Sequence, residues 1–397
     1  PTIIDSFVAS NSGFFGADAT LSCIDLSKMD NVYANLVEFM KDIKTSELDV
    51  NKFANVSRAI SKSKAYADGE IDTIDLIHFA DNVSISSSDS LINSIKDAVV
   101  YNKTTNYVEN SNGLSIYIPN KNLTYYDSMV KIYKNIGMTN EYISVLTEYV
   151  NLAAGGKNNT YIVNNYEYEQ DTTDYESYAW YDSEQVESNQ EYYDETSVNV
   201  SELEVIDKGE YYALKLTKKQ WANIISVESI LWYDDGEGYI DLGCDSYFEM
   251  DDDNDLKVTS DGKWVAINGQ VVKYEVVEHT DNYEKGKVPA LLNDEEVNLI
   301  IYWDKDHPDG EVIGAERVNS YGDTTLYGKG LVEIKTGDKI DFIVDYYTYD
   351  GKFDTLKVGK KGLTVSYEWI GDGECLIYYL LTDIYNNSYY TEPVIVY

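Results

Sequence analysis

The sequence has few of the residues that build covalent or metal-held frameworks. Its 397 residues include only three cysteines and three histidines. Cys23, Cys244 and Cys375 are odd in number, lie far apart and form no Cys-x-x-Cys pair, which argues against a disulfide framework and a structural zinc site. The histidines form no His-x-x-x-His pair either. The chain therefore depends on ordinary hydrophobic packing, for which an apolar content of 43% is sufficient.

Long apolar runs are also absent. No stretch of 18 or more apolar residues occurs, so the sequence predicts no membrane-spanning helix. No basic segment followed by an apolar segment stands near residue 1, so no signal peptide is visible.

Positive charge is scarce. The chain has 31 Lys and Arg against 70 Asp and Glu, a formal net charge of −39. This imbalance argues against nucleic acid and anionic membrane surfaces as partners, because their phosphates would be repelled. Residues 1–150 hold 12 basic and 19 acidic side chains, whereas residues 151–397 hold 19 and 51. Such a change in charge predicts a change of domain.

Three regions follow from the patterning. Residues 1–154 combine helical and strand patterns, which indicates an α/β region. Residues 155–204 are predicted to be an acidic, tyrosine-rich linker or extended wrap, since 14 acids and no Lys or Arg fall between 158 and 207. Residues 205–397 show alternating strand patterns, including an Asn-Gly hairpin turn at 268–269, and predict an all-β, sandwich-like domain.

The first region contains recognisable helix starts. Ser27 and Asp30 form a candidate capping box before a helix. Asp72 is the predicted cap of a later helix that includes Ile74 and Ile77.

Cys23 is the obvious candidate nucleophile, because it stands two residues before Asp25 and just ahead of a helix. A cysteine nucleophile needs a base close in space. His78 is the only histidine of the first region, and it lies in the apolar segment IDLIHFA. The pattern therefore favours a structural reading, with a small thiol after a strand and a histidine at the edge of a packed helix.

A short acidic stretch is a weak calcium candidate, and no other cofactor is indicated. Asp251, Asp253 and Asp255 stand at alternating positions, and alternate oxygens in a turn are able to ligate calcium. The twelve-residue calcium loop with its terminal glutamate is not matched, so an acidic hairpin turn is the competing interpretation.

The aromatic residues leave two interpretations open. All six tryptophans fall after residue 155. Exposed Trp and Tyr rings in a β-domain stack on sugars, whereas buried ones form ordinary core, and the pattern favours core.

Several segments of the chain resemble the clostripain family of cysteine endopeptidases, which has a caspase-like α/β fold. In residues 1–154 they are LSCIDLSKM, DLIHFADNV, YNKTTNYVENSNGLSIYIP and TNEYISVLTEYVNL. Later segments are similar to the β-domain appended to many bacterial members, namely DDGEGYIDLG, DGKWVAINGQVV and KVPALLNDEEVNLIIYW.

The resemblance implies that residues 1–154 are the C-terminal part of a caspase-like peptidase domain. In the family, a histidine in a His-Gly turn and a cysteine after an acid both precede the LSxIDLSKM segment. Neither motif occurs here. The resemblance thus implies that no catalytic residue lies in this chain, that Cys23 belongs to a structural segment, and that the catalytic His and Cys lie upstream.

The implied activity is cleavage of peptides after Arg or Lys by a secreted or cell-surface bacterial enzyme. The implied partners are the N-terminal part of the same peptidase domain and substrates with basic residues. The alternative is a cell-surface module that binds carbohydrate or protein and carries a degenerate peptidase-like domain.

Overall fold

The computed structural model of the chain describes residues 20–44, 50–66, 73–104, 109–119, 126–155, 203, 205–209, 211–236, 238–246, 248–258, 260–318, 331–347, 356–358 and 360–395. Helices dominate up to residue 155, and strands dominate from residue 205 onwards. The fold is therefore mixed, with a large multi-stranded sheet in its C-terminal region. None of the helices in these ranges has both the length and the apolar composition that a bilayer span needs.

The N-terminal region consists of helices around two small sheets. Its elements are β1 (Thr20–Ile24), α1 (Met29–Lys44), α2 (Val50–Lys62), β2 (Thr73–Asp75), α3 (Leu76–Val83), α4 (Ser88–Ala98), β3 (Val99–Thr104), β4 (Ser115–Tyr117), α5 (Tyr126–Asn135) and α6 (Asn140–Gly155). β1 pairs antiparallel with β3, and β2 pairs antiparallel with β4. The apolar faces of the helices meet in one core, in which Phe39, Phe53, Leu91 and Leu146 are almost completely buried.

Two predicted helix caps are wrong. Asp75, not Asp72, caps α3, and its carboxylate accepts the amide of His78 at 2.9 Å. The apolar residue Ile74 belongs to β2, where it pairs with Ile116 of β4. A pairing partner this distant in sequence is invisible to local helical periodicity.

The start of α1 also differs from the prediction. Asp25 caps a short 3-10 turn over Leu26–Lys28, and α1 begins at Met29. Ser27 donates its backbone N–H and its hydroxyl to the Asp25 carboxylate at 3.0 and 2.6 Å, so it does not form the predicted capping box.

The described residues of the C-terminal region form strands and one short helix. Its elements are β5 (Val205–Asp207), β6 (Tyr212–Leu214), α7 (Lys218–Asn223), β7 (Ile224–Asp234), β8 (Tyr239–Asp245), β9 (Glu249–Met250), β10 (Leu256–Val258), β11 (Lys263–Ile267), β12 (Gln270–Val271), β13 (Tyr274–His279), β14 (Tyr283–Leu292), β15 (Glu295–Asp304), β16 (Glu311–Arg317), β17 (Lys339–Phe342), β18 (Asp345–Tyr347), β19 (Leu356–Lys357), β20 (Val365–Trp369), β21 (Glu374–Asp383), β22 (Ser388–Tyr390) and β23 (Val394–Ile395).

Three sheets share the core of this region. The main path of the large sheet runs β16-β15-β14-β13-β8-β7-β21-β22, and all of its neighbouring strands are antiparallel except β8 and β13. A four-stranded sheet (β5-β6-β10-β9) and a three-stranded sheet (β12-β11-β20) place Leu214, Leu256 and Val265 in the same core as Leu381 of the large sheet.

The predicted hairpin turn at residues 268–269 is confirmed. Asn268 and Gly269 have φ angles of 51° and 83° and join β11 to β12, as a type I′ turn requires. Most of the predicted acidic linker, residues 156–202, lies outside the described residues.

The turn between β21 and β22 joins the two regions. We call residues 383–387 the docking turn. Ile384 and Tyr385 leave the β-region and are buried in the helical core of the N-terminal region. The Tyr385 ring stacks on Phe53 of α2 with centroids 5.1 Å apart, and the hydroxyl of Ser57 donates to the carbonyl of Ile384.

A buried carboxylate holds the docking turn in shape. Asp383 is 1% exposed. It accepts the backbone N–H of Tyr385 at 2.8 Å and that of Asn387 at 2.9 Å, and the hydroxyl of Tyr389 at 2.8 Å. Because several donors share the charge, the carboxylate is not left unpaired in the interior.

An ion pair adds a second link between the regions. The ammonium of Lys64, which follows α2, lies 2.8 Å from the Glu278 carboxylate on β13. Burial acts to raise the pKa of Glu278, but the nearby Lys64 charge and hydrogen bonds lower it overall.

We expect the substitution Tyr385→Ala to lower the free energy of unfolding by about 3 kcal/mol, because a large buried ring is removed from a packed site. The loss should appear in urea titrations followed by helical circular dichroism. Tyr390→Ala on the same hairpin is the matched control. Since Tyr390 is 54% exposed, its removal should change stability by no more than about 0.5 kcal/mol. Equal effects of the two substitutions would contradict the docking role.

Candidate functional site

The predicted calcium ligands do lie together. Asp251, Asp253 and Asp255 occupy the turn between β9 and β10, and one oxygen from each lies within 4.8 Å of the others. The Asp251 carboxylate also accepts the backbone N–H groups of Asp253 and Asp255, both at 2.9 Å. These bonds fold the turn so that the three side chains converge.

A lysine already stands among these carboxylates. The ammonium of Lys208 lies 3.5, 3.1 and 3.3 Å from oxygens of Asp251, Asp253 and Asp255. The hydroxyl of Tyr211 donates to Asp251 at 3.0 Å. Hydrogen bonds to Asp253 and Asp255 raise the pKa of Lys208, and the backbone N–H of Asp255 leads the causes that lower the pKa of Asp251. A calcium ion would have to displace this ammonium.

Cys23 lies on a paired strand. It is half-buried on β1, opposite Tyr101 of β3. The neighbouring acid, Asp25, is engaged by Ser27, whose hydroxyl hydrogen bond is the largest cause of the lowered pKa of Asp25. Asp25 therefore closes a turn and does not activate the thiol.

His78 is not oriented as a base for Cys23. Its Nδ1 accepts the backbone N–H of Lys64 at 3.0 Å. Burial lowers the pKa of His78, so its ring is neutral at neutral pH. No hydrogen bond connects any of the three cysteines to any of the three histidines, all six of which the structure describes.

The other two cysteines behave as structural thiols. Burial raises the pKa of Cys244 to about 12 and also raises that of Cys375. A thiol with a raised pKa holds little of the thiolate that acts as a nucleophile. Among the described residues, the structure therefore assembles no Cys-His pair.

Sequence reasoning missed a polar cluster at the hairpin between β13 and β14. The ring Nδ1 of His279 lies 2.9 Å from the hydroxyl of Ser246 and 3.0 Å from the carboxylate of Glu284. The Ser246 hydroxyl donates to Glu284, and Tyr274 donates to the other Glu284 oxygen at 2.7 Å. His279 and Glu284 are cross-strand partners. Because only a short turn separates them in the sequence, their proximity could have been predicted.

This cluster is not a catalytic triad. In a triad, the acid holds one imidazole nitrogen while the other faces the nucleophile. Here, Ser246 and Glu284 both approach the same nitrogen of His279, and the ring is largely exposed. The cluster instead links the end of β8 to β13 and β14.

The aromatic residues divide between core and surface. Trp264 is buried and donates its indole N–H to the carbonyl of Leu242 at 2.9 Å, and Tyr274 is also completely buried. Tyr239 and Trp369 are 37% and 44% exposed. The predicted preference for core therefore holds for some rings and fails for others.

Comparison with known proteins gives no relative: no family model, no curated protein and no solved structure matches the chain.

The acidic turn leads to a test with calcium. We expect little calcium binding by the unaltered protein, because the Lys208 ammonium already lies among the three carboxylates and would have to be displaced. Lys208→Met removes that charge and should strengthen calcium binding by roughly tenfold or more, measured by calorimetry. Lys257→Met removes a lysine that pairs with Glu249 and lies over the Tyr211 ring beside the turn, without contacting the three aspartates, and should change calcium binding much less. Tight binding by the unaltered protein that is lost in Asp253→Ala would show that calcium displaces the lysine.

The His279 cluster leads to a pH prediction. The hydrogen bond to Glu284 raises the pKa of His279 above its usual 6.5. The stability contributed by protonated His279 is therefore fully present below pH 6.5 and is lost as the pH rises through the higher folded value. An NMR titration of the His279 ring should show this raised pKa, and Glu284→Gln should lower it. Asp281→Asn, which removes a smaller contribution to the raised pKa of His279, should have a smaller effect.

Proposed function

We propose that this chain is the C-terminal portion of a clostripain-like cysteine endopeptidase that cleaves after Arg or Lys, and that the catalytic His and Cys lie upstream. We further propose that the enzyme is secreted or displayed on a bacterial cell surface. In this proposal, residues 1–154 complete a caspase-like domain with an N-terminal partner segment of the same polypeptide.

The observation that best supports the proposal is that three of the motif segments, although far apart in sequence, lie next to one another in the structure. Gly113 of NGLSIYIP has a φ of 102°, and a Cβ atom there would lie 3.0 Å from Val99 and 3.1 Å from the Ser22 hydroxyl of LSCIDLSKM. Only glycine allows this approach without strain.

Asp75 is the first residue of DLIHFADNV and connects that segment to NGLSIYIP. It is completely buried. Its carboxylate accepts the backbone N–H of Asn112 at 2.6 Å and the side-chain amide of Asn112 at 2.9 Å, together with the hydroxyl of Tyr66 at 3.0 Å. Segments that are far apart in sequence thus form one hydrogen-bonded scaffold, which supports a shared structural role for the motifs.

The mechanism that we propose for the complete enzyme is acyl transfer. A thiolate attacks the carbonyl carbon of the scissile peptide, a histidine protonates the leaving amine, and water then releases the acyl group. The residues of this chain would support that site without entering the reaction. The surplus of carboxylates would favour the approach of basic substrates.

The proposal is tested by comparing this chain with the complete polypeptide from its coding sequence. The complete polypeptide should hydrolyse peptidyl-Arg and peptidyl-Lys substrates but not the matched peptidyl-Gln substrate, and thiol alkylation should abolish the activity. This chain alone should hydrolyse none of them. A coding sequence without an upstream His-Gly turn and acid-Cys motif would overturn the proposal.

Cys23→Ala provides a further prediction. We expect the complete enzyme to keep nearly all of its activity, because Cys23 lies on a structural strand. The packing loss should be on the order of 1 kcal/mol in the free energy of unfolding. Alanine at the upstream cysteine is the matched substitution and should abolish turnover. Lost turnover in a folded Cys23→Ala variant would contradict this assignment.

A further inference from the structure

Four aromatic side chains form a continuous row on one face of the large sheet. We call Tyr239, Trp232, Tyr378 and Tyr390 the aromatic strip. They lie on the adjacent strands β8, β7, β21 and β22. Successive ring centroids are 6.3, 5.8 and 6.2 Å apart. The strip therefore crosses four strands without a break.

The strip lies on the face that points away from the core of the region. Along β21, Ile377 and Tyr379 are buried in that core, whereas Tyr378 between them is only partly buried. Alternate residues of a strand point to opposite faces. Tyr239 and Tyr390, at the ends of the strip, are 37% and 54% exposed, so both ends of the strip are accessible to a partner.

Acidic residues flank the strip, and one of them, Asp241 opposite Trp232, is already paired with Lys273. The sequences of β7, β8, β21 and β22 contain no Lys or Arg. Asp234 lies opposite both Tyr239 and Glu374, which places two carboxylates at one end of the strip. No ion pair involves Asp234 or Glu374 within the described part of the chain. Another acid, Glu228, lies near the other end of the strip. It pairs with Leu380 of β21, which in turn pairs with Tyr390 of β22.

The protein already shows how such a surface holds a cation. The ammonium of Lys257 lies 5.2 Å from the centre of the Tyr211 ring and 3.1 Å from the Glu249 carboxylate. An aromatic face next to a carboxylate thus binds a lysine head group by charge and by cation–π attraction. The strip repeats these two elements across four strands.

We propose that the aromatic strip binds an extended segment of a basic polypeptide, with Lys or Arg head groups over the rings and close to the flanking carboxylates. The three ring-to-ring distances of 6.3, 5.8 and 6.2 Å make the strip up to about 18 Å long. Alternate side chains of an extended peptide are about 6.6 Å apart, close to the spacing of the rings. A neutral glycan also stacks on aromatic rings, but it has no positive charge that the flanking carboxylates could attract.

This inference rests on the β-region alone and is independent of the proposed peptidase activity. Binding is measured on this chain, which lacks the upstream catalytic residues of the proposal. The two hypotheses can therefore be refuted separately. If the complete polypeptide hydrolyses no peptide, the proposed binding by the strip still stands. If this chain binds no basic peptide, the peptidase proposal still stands.

The experiment measures binding of a short peptide in which lysine and serine alternate, by calorimetry at low and high salt. Because any cation is attracted to a protein of this charge, variants of the strip provide the decisive comparison. We expect Trp232→Ala combined with Tyr378→Ala to weaken binding by about tenfold. Tyr239→Ser combined with Tyr390→Ser removes two exposed rings without leaving a core cavity and should also weaken binding.

Trp369→Ala is the matched control. Trp369 is exposed on the three-stranded sheet, and Lys263 lies directly opposite it, so a cation already stands beside that ring position. Binding should be unchanged in this variant. Equal affinity in the strip variants and the unaltered protein would overturn the proposal. Binding of a neutral glucose oligosaccharide that is lost in the strip variants, with no loss of peptide binding, would also overturn it in favour of a glycan.

Discussion

The arrangement of the two regions depends on one buried carboxylate. Asp383 ties the backbone of the docking turn to the Tyr389 hydroxyl. The turn places the side chains of Ile384 and Tyr385 in the helical core, where the Tyr385 ring stacks on Phe53. The helices thereby obtain part of their core from a strand hairpin that lies more than 200 residues further along the chain. The β-region is consequently a structural support for the N-terminal region.

Because acidic residues outnumber basic ones, single lysines each contact several carboxylates. Lys208 contacts three aspartates in the turn between β9 and β10. Lys273 is largely buried and lies 2.8 Å from Asp241 and 2.7 Å from Asp345. Each such lysine holds together loops or strands that would otherwise repel one another. The four strands of the aromatic strip carry no basic residue, and Asp234 and Glu374 at one end of the strip form no ion pair within the described residues.

The N-terminal motifs are best understood as a scaffold. Gly113 and Asp75 bring three of the motif segments together by close packing and by hydrogen bonds. Within the described residues this scaffold contains two separate two-stranded sheets, and its cysteine is not paired with a base. In the functions proposed here, the upstream segment supplies the catalytic residues. The aromatic strip of this chain binds the basic polypeptide.

Local features of the chain were determined by the sequence itself. The helical periodicities, the Asn268–Gly269 turn and the proximity of Asp251, Asp253 and Asp255 depend on residues a few positions apart, where backbone preference and spacing decide the outcome. The structural reading of Cys23 was likewise available from its neighbours.

Tertiary structure alone decided the features that join distant segments. It placed Lys208 among three aspartates, paired Ile74 with Ile116, and buried Tyr385 while exposing Tyr390 five residues later. A tyrosine on a strand has the same local preference whether its face meets the core or the solvent. Strand register and sheet packing settle that choice through contacts between residues far apart in sequence, which composition and periodicity do not record.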